Sequence, residues 1–325
     1  MDSERLRPPT ITDVLVARAR IRPHLLPTPL HRWPGLDQLV QAEVWVKHEN
    51  HLPTGAFKVR GGVNLVACLD PDARALGVVA ASTGNHGQSV AFAAQLFGVA
   101  ATVYVPQDVN PVKADAIRSL GATVIATGRD FDDARLACEA RSRSDGSRYI
   151  HSGNEPLLIA GVATATVEMI EAQPDLEVLI VPVGGGSAAA GACIAAKALC
   201  PGLEVIGVQA EAAPAAHRSW REGRLREAEM ATFAEGLATR TAFALPQAIL
   251  RQHLDDFVLV SEAQLRCAMR AMLRHTRNLV EAAGAAPLAA AAVLTDRLRG
   301  RRVALICSGG NVSYAQLRQL VADEA

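Results

Sequence analysis

Lys58 has the setting most suited to chemistry in this 325-residue chain. It lies in Pro53-Thr54-Gly55-Ala56-Phe57-Lys58-Val59-Arg60-Gly61-Gly62, a glycine-bracketed loop that runs into a helix. An amine flanked by Phe57 and Val59 is less solvated than a surface lysine, which lowers its pKa and makes it a nucleophile toward a carbonyl. Read in isolation, the same stretch describes a surface lysine whose hydrocarbon stem covers Phe57. The rest of the chain decides between the two.

Three other polar turns follow strands. Gly184-Gly185-Gly186-Ser187 separates an apolar strand from an alanine-rich helix, the position at which backbone N–H groups and the helix dipole hold a phosphate. Three glycines weaken a plain turn, so anion binding is the reading that uses them. Gly184, Gly186 and Ala189 also satisfy a loose dinucleotide fingerprint, with Glu211 near the end of the next strand as a ribose-binding acid. That nicotinamide-dependent oxidoreductase leaves Lys58 unexplained. Ser82-Thr83-Gly84-Asn85-His86 offers two hydroxyls, an amide and several N–H groups to a carboxylate, against the plainer reading of helix capping by Ser82 or Thr83. His86 is assigned a supporting role. Ser308-Gly309-Gly310-Asn311 is the third such turn. Cys307 beside it reads as core, because no basic group is near it in sequence. Glu281, after an apolar helix end, reads as a solvated surface carboxylate, with a buried ion pair as the alternative.

These turns need a frame. Strands are expected at 43–48, 77–82, 101–105, 123–126, 178–183, 205–209, 257–260 and 303–307. Helices are expected at 12–21, 59–69, 88–97, 130–142, 160–172, 188–199, 262–274 and 289–298, with another starting at Asn110 and Pro111 as N-cap and N1. A polar loop is read at 143–148, and 218–241 is charged and partly helical. The alternation of strand and helix describes an α/β fold with two open, mostly parallel twisted sheets flanked by helices. The smaller unit, 77–153, is inserted into a larger one made of 1–76 and 154–325.

Composition narrows the partners. Lys plus Arg equals Asp plus Glu at 33 each, so nothing draws the chain to nucleic acid or an anionic membrane. Small molecules and further copies of the chain remain. Cys68, Cys138, Cys193, Cys200, Cys267 and Cys307 stand among apolar neighbours with no Cys-x-x-Cys pair, as reduced core thiols of a cytoplasmic protein do. Residues 1–22 are too charged for a signal peptide. The alanine-rich 282–293 stretch contains Gly284 and Pro287 and is too short to span a bilayer.

Four motifs in order, PTGAFKVRGG, ASTGNHGQ, PVGGGSAAAG and CSGGN, resemble the pyridoxal-phosphate enzymes of fold type II, whose fold is tryptophan synthase beta-like. Within them the likeness is to the threonine/serine dehydratase and serine racemase branch, over residues 28–313. The resemblance implies a pyridoxal 5'-phosphate cofactor whose aldehyde is held by Lys58. Phe57 then packs beside the ring, Asn85 hydrogen-bonds the ring hydroxyl, and Ser308 faces the pyridine nitrogen. Gly184, Gly185, Gly186 and Ser187 cradle the phosphate, Ser187 standing where the family usually has a fourth glycine. A serine hydroxyl does not favour a protonated ring nitrogen, which suits quick β-elimination better than transamination.

The implied reaction is dehydration and deamination of a 3-hydroxy amino acid such as L-threonine or L-serine to a 2-oxo acid plus ammonia. The substrate carboxylate sits at Ser82, Thr83, Gly84, Asn85 and His86, and Lys58 takes the Cα proton. Several positions depart from the family pattern. Thr83 replaces the serine that racemases of this branch use as a second base, although a racemase remains an alternative. Gln209, Ala213 and Ala215 fall where metal-dependent relatives show acidic ligands, so no metal is expected. Ala242-Phe243 replaces the Pro-Gly of threonine enzymes, which suits either a bulkier substrate such as phenylserine or a core phenylalanine. The chain ends soon after Ser308, so no regulatory domain and no isoleucine feedback are expected. A homodimer, and a mobile 77–153 unit that closes over the substrate, are implied by the family.

Overall fold

Apolar runs without polar alternation form strands that are covered on both faces. In the computed structural model, which describes residues 6–322, ten strands occur. They are β1 (Leu30–Arg32), β2 (Glu43–His48), β3 (Val78–Ala81), β4 (Ala101–Val105), β5 (Thr123–Ala126), β6 (Arg148–Tyr149), β7 (Val178–Pro182), β8 (Glu204–Ala210), β9 (Asp256–Val260) and β10 (Arg302–Cys307). One sheet has six strands in the order β1-β2-β10-β7-β8-β9, and the other has four in the order β5-β4-β3-β6. Every pairing is parallel except that of β1 with β2. β7 is buried along its whole length, as VLIVP demands.

Most expected elements form, and the exceptions have physical causes. Asn110 caps the Pro111–Ser119 helix through Val112 N–H, 3.0 Å from its Oδ1. The Asn85–Leu96 helix begins three residues before the expected 88, with Gly84 as its N-cap. The Ala282–Val293 helix begins well before the expected 289 and includes Gly284 and Pro287. Gly284 is required there, because a Cβ would lie 2.6 Å from Gly309 O. This helix is buried nearly all round, and tertiary packing outweighs its poor propensity. The Phe131–Asp145 helix runs through part of the expected polar loop and ends on left-handed Gly146. An Ala244–His253 helix, not among those expected from the sequence, is stabilised by burial of Leu245, Ile249 and Leu250.

The cysteines are free, but not all are core. Cys138, Cys193 and Cys307 are buried, Cys68 and Cys200 are half-buried, and Cys267 is exposed. The apolar neighbours of Cys267 mislead because its helix, Glu262–Thr276, turns only Leu265, Ala268, Met269, Met272 and Thr276 inward. Among the described residues no helix is long and apolar enough to cross a membrane.

The Lys58–Ala67 helix is anchored by charge. Two residues past Lys58, Arg60 donates through Nε to Glu49 (2.6 Å) and through Nη1 to Glu168 (2.7 Å). Lys47 donates to Glu168 (2.6 Å) and to Thr28 O (2.7 Å), and Thr28 Oγ1 donates to Glu49 (2.6 Å). Lys47, Glu49 and Arg60 are at most 1% exposed, so these charges are compensated by one another rather than by water. Burial alone would raise the Glu49 carboxyl, yet Arg60 holds it below its ordinary value. Arg60→Met leaves two buried carboxylates facing one cation. It should cost about 3–5 kcal/mol in urea unfolding at neutral pH. A loss below about 1 kcal/mol, the range of exposed pairs, would show that this network does not anchor the helix.

Candidate active site

β2, β10 and β7 are neighbours and parallel, so their carboxyl ends lie side by side. The chain after them forms the Lys58 loop, the Ser308 turn and the glycine turn, which is the ligand face of an open α/β sheet. The first two are paired through their backbones. Phe57 N–H donates to Ser308 O (2.9 Å), Gly310 N–H donates to Gly55 O (2.9 Å), and Ala56 bridges Gly309 antiparallel. Gly55 carries φ +67, a conformation that favours glycine. Lys58 is thereby set at the start of its helix.

The Lys58 amine donates to Ser152 O (2.8 Å) and to Ser187 Oγ (3.0 Å), and the Phe57 ring centroid is 5.4 Å away. Burial lowers its pKa from 10.5 to about 8. The chain has four lysines, and the other three are ion-paired: Lys47 with Glu168, Lys113 with Glu235, and Lys197 with Asp255. Among the described residues, Lys58 is the lysine with no carboxylate partner. Burial, and then the Lys58 charge, lowers His151 to about 4 and His86 to about 3, so both imidazoles are neutral.

The glycine turn opens the Ser187–Leu199 helix, with Gly186 at φ +89. Among the described residues the N–H groups of Gly185, Gly186, Ser187 and Ala188 have no acceptor within the protein. Free amides at the positive end of a helix, joined by the Ser187 hydroxyl and the Lys58 amine, suit a phosphate. The glycines also serve the protein itself. A Cβ on Gly184 would strike the Gly236 carbonyl, and one on Gly185 would strike the Phe243 ring. The sequence suggested glycine for the approach of an anion, whereas the structure requires it for these two contacts as well.

From the second sheet, the Ser82 turn follows β3. Ser82 Oγ accepts from Gly84 N–H (3.2 Å), so neither it nor Thr83 caps the helix. His86 Nε2 donates to Ile150 O (3.0 Å), which fixes the neutral tautomer and leaves buried Nδ1 without a partner. Asn85 Nδ2 donates to Glu281 Oε1 (2.9 Å), and Asn85 Oδ1 accepts from Asn311 Nδ2 (2.7 Å). Glu281 is therefore part of the site and not the solvated surface carboxylate its sequence context suggests. Burial raises its pKa to about 7, against the opposing pull of Asn85, Asn311 and Lys113.

Ser308 is buried, and among the described residues its hydroxyl makes no hydrogen bond to the protein. Cys307 is buried and burial pushes its thiol up, as a core residue requires. Glu211, the acid of the nucleotide reading, is exposed. Sequence reasoning missed the 151–154 turn, which supplies the Ser152 carbonyl. There His151 Nδ1 accepts from Gly153 N–H (3.0 Å) and Asn154 N–H (2.9 Å). Its ring meets Phe243 edge-on, with centroids 4.6 Å apart. Ser152-Gly153-Asn154 just after Ile150 was the available signal, a fourth small polar turn past a strand.

The depressed Lys58 pKa has a stability consequence. Between about pH 8 and pH 10.5 the unfolded chain binds the proton that the folded chain has lost, so stability rises with pH across that window. The cost of burying the charge is fully present below about 8. Ligand-free Lys58→Met should therefore be more stable than the parent at about pH 7, with the margin shrinking as pH rises toward the ordinary lysine value. Denaturant unfolding at several pH values measures this. A margin independent of pH would contradict it.

The sequence profile of the pyridoxal-phosphate dependent enzymes matches residues 21–309. An L-threonine ammonia-lyase from Thermotoga maritima is 36% identical over 313 residues, spanning 96% of this chain and 78% of the relative. The crystal structure of a threonine deaminase from T.th. superposes with a TM-score of 0.88 at 36% identity, covering 94% of this chain and 99% of that one. Serine racemase from Dictyostelium discoideum does so with a TM-score of 0.89 at 32% identity, over 94% and 99%. The profile names the chemistry that the Lys58 amine and the glycine turn suit, and removes the nicotinamide reading. The chain belongs to the pyridoxal-phosphate dependent enzymes of fold type II, with threonine dehydratases and serine racemases among its relatives.

Proposed function

We propose that the protein is an ammonia-lyase that removes water from a 3-hydroxy amino acid such as L-threonine or L-serine and releases a 2-oxo acid and ammonia. The observation that carries this reading is the Lys58 amine, desolvated, without a carboxylate partner and bonded to Ser187 at the head of the glycine turn. Bound pyridoxal phosphate supplies the electron-withdrawing ring that makes the Cα proton of an amino acid removable.

Each residue has a part that its surroundings support. Lys58 would hold the cofactor through its Nζ and would serve as the base for the Cα proton of the substrate. The amides of Gly184, Gly185, Gly186 and Ser187 hold the phosphate. With pyridoxal phosphate bound, Asn85 would donate to its ring oxygen, the unpartnered Ser308 hydroxyl would serve its ring nitrogen, and Phe57 would pack beside the ring. Ser82, Thr83, Gly84, Asn85 and His86 bind the substrate carboxylate. Among the described residues the N–H groups of Asn85 and His86, at the start of the Asn85–Leu96 helix, have no protein acceptor, which supports that role. The unit at 77–153 closes over the substrate, a reading supported by the Lys113–Glu235 pair that joins its Pro111–Ser119 helix to residues 235–237 of the larger unit.

Elimination is favoured over racemisation because Thr83 carries a bulkier secondary hydroxyl where racemases of this branch have serine. Release of 2-oxo acid from serine, threonine, 3-hydroxyaspartate and phenylserine in both configurations, with substrate chirality followed alongside, tests the reading. Threonine or serine should give 2-oxo acid faster than inverted substrate, and Lys58→Ala should lower the rate at least about a hundredfold. Inversion without 2-oxo acid would make the protein a racemase. Turnover of phenylserine alone would make Phe243 and His151 the wall of a larger pocket.

A further inference from the structure

A carboxamide can present either its N–H or its carbonyl to a ligand, and nothing in the position of Asn85 on its own helix selects one. Its partners do. The Thr54 carbonyl can only accept, so Asn311 must direct Nδ2 toward it, at 2.9 Å. The second hydrogen of that Nδ2 points to Asn85 at 2.7 Å, so the Asn85 atom there must be the acceptor, Oδ1. Asn85 Nδ2 is then turned to Glu281 Oε1 at 2.9 Å. One of its two hydrogens is used on Glu281. Among the described residues the other has no protein acceptor.

The outer end of this chain is also held. Glu281 N–H donates to Gly309 O (3.1 Å), and a Cβ on Gly309 would stand 2.7 Å from Glu281 Oε1. The carboxyl therefore occupies space that the Ser308-Gly309-Gly310-Asn311 turn leaves clear. Thr54, in turn, belongs to the Lys58 loop. One run of obligate donors and acceptors thus begins beside the covalent lysine and ends on the amide assigned to the ring oxygen.

We propose that Asn311 and Glu281 are positioning residues that fix the polarity of the Asn85 amide, leaving one Nδ2 hydrogen for the ring oxygen of pyridoxal phosphate. This rests on the reading of Asn85 as the donor to that oxygen. A hydrogen donated there favours the ionised oxygen, whereas a carbonyl turned to it opposes ionisation. Asn311→Asp has no hydrogen for Asn85 Oδ1 and instead attracts Nδ2, so the amide rotates. Glu281→Gln retains an acceptor and keeps the polarity. Around Glu281 the other titratable groups are Lys113, from the Pro111–Ser119 helix, and Cys307, at the end of β10. Both are unchanged in these variants.

The test uses protein reconstituted with pyridoxal phosphate, reading cofactor affinity by equilibrium dialysis and the pH dependence of its visible absorption. Asn311→Asp should weaken binding about tenfold and move the spectral titration up by about one pH unit, as Asn85→Ala does, while Glu281→Gln stays near wild type. In an Asn85→Ala background Asn311→Asp should add nothing, because it acts through Asn85. If Asn311→Asp does not fold, Asn311→Ala takes its place in both backgrounds. A wild-type titration for the Asn311 variant beside a shifted Asn85→Ala overturns the proposal and leaves the Asn85 assignment standing. An undiminished Asn311 effect in the Asn85→Ala background also overturns it. A wild-type titration for Asn85→Ala overturns both.

Discussion

An amine held out of water with no carboxylate beside it is the constraint that the rest of this structure serves. Desolvation makes Lys58 nucleophilic near neutral pH, and one adjacent acid would undo that by restoring its charge. Burial alone shifts Lys58, and the acids of the helix anchor and of the site have partners of their own. Glu49 and Glu168 are held by Arg60 and Lys47, and Glu281 faces Asn85. The buried ion network thus anchors the helix that starts at Lys58.

Topology supplies the remaining groups. Because β10 lies between β2 and β7, three turns far apart in sequence meet at one edge of the sheet, and the second sheet adds the Ser82 turn. Short distances between backbones hold them there. The Lys58 loop and the Ser308 turn pair as an antiparallel bridge, and the glycine turn is pressed by the Gly236 carbonyl and the Phe243 ring. Side chains at those glycines would separate the amine from the amides that face an anion. Affinity for a phosphate and close packing thus ask for the same residues.

What was legible in the sequence was local. Strand β2, the glycine turn and the residue type of Lys58 are written in short runs whose periodicity and composition have one structural solution. The turns at Ser82 and Ser308 were visible because each follows an apolar strand directly. What was not legible depends on contacts over long separations. Glu281 looks solvated beside its own neighbours, and only Asn85, 196 positions away, shows that it is not. Phe243 gives no local sign of its neighbours, and only the fold sets His151 and the Gly185 backbone against its ring. The 282–293 helix was hidden by Gly284 and Pro287, residues that oppose a helix locally and are tolerated because packing on all sides sustains it. The Ser152 carbonyl is a backbone group, marked in the sequence only by the small polar run Ser152-Gly153-Asn154.

We propose that Lys58, of the four lysines, is the covalent anchor of the cofactor. Borohydride reduction of the holoenzyme followed by peptide mapping tests it most directly. A pyridoxyl group should appear on the peptide that contains Lys58 and on no other. A reduced cofactor on Lys47, Lys113 or Lys197, or no covalent cofactor in protein that is yellow before reduction, would contradict it.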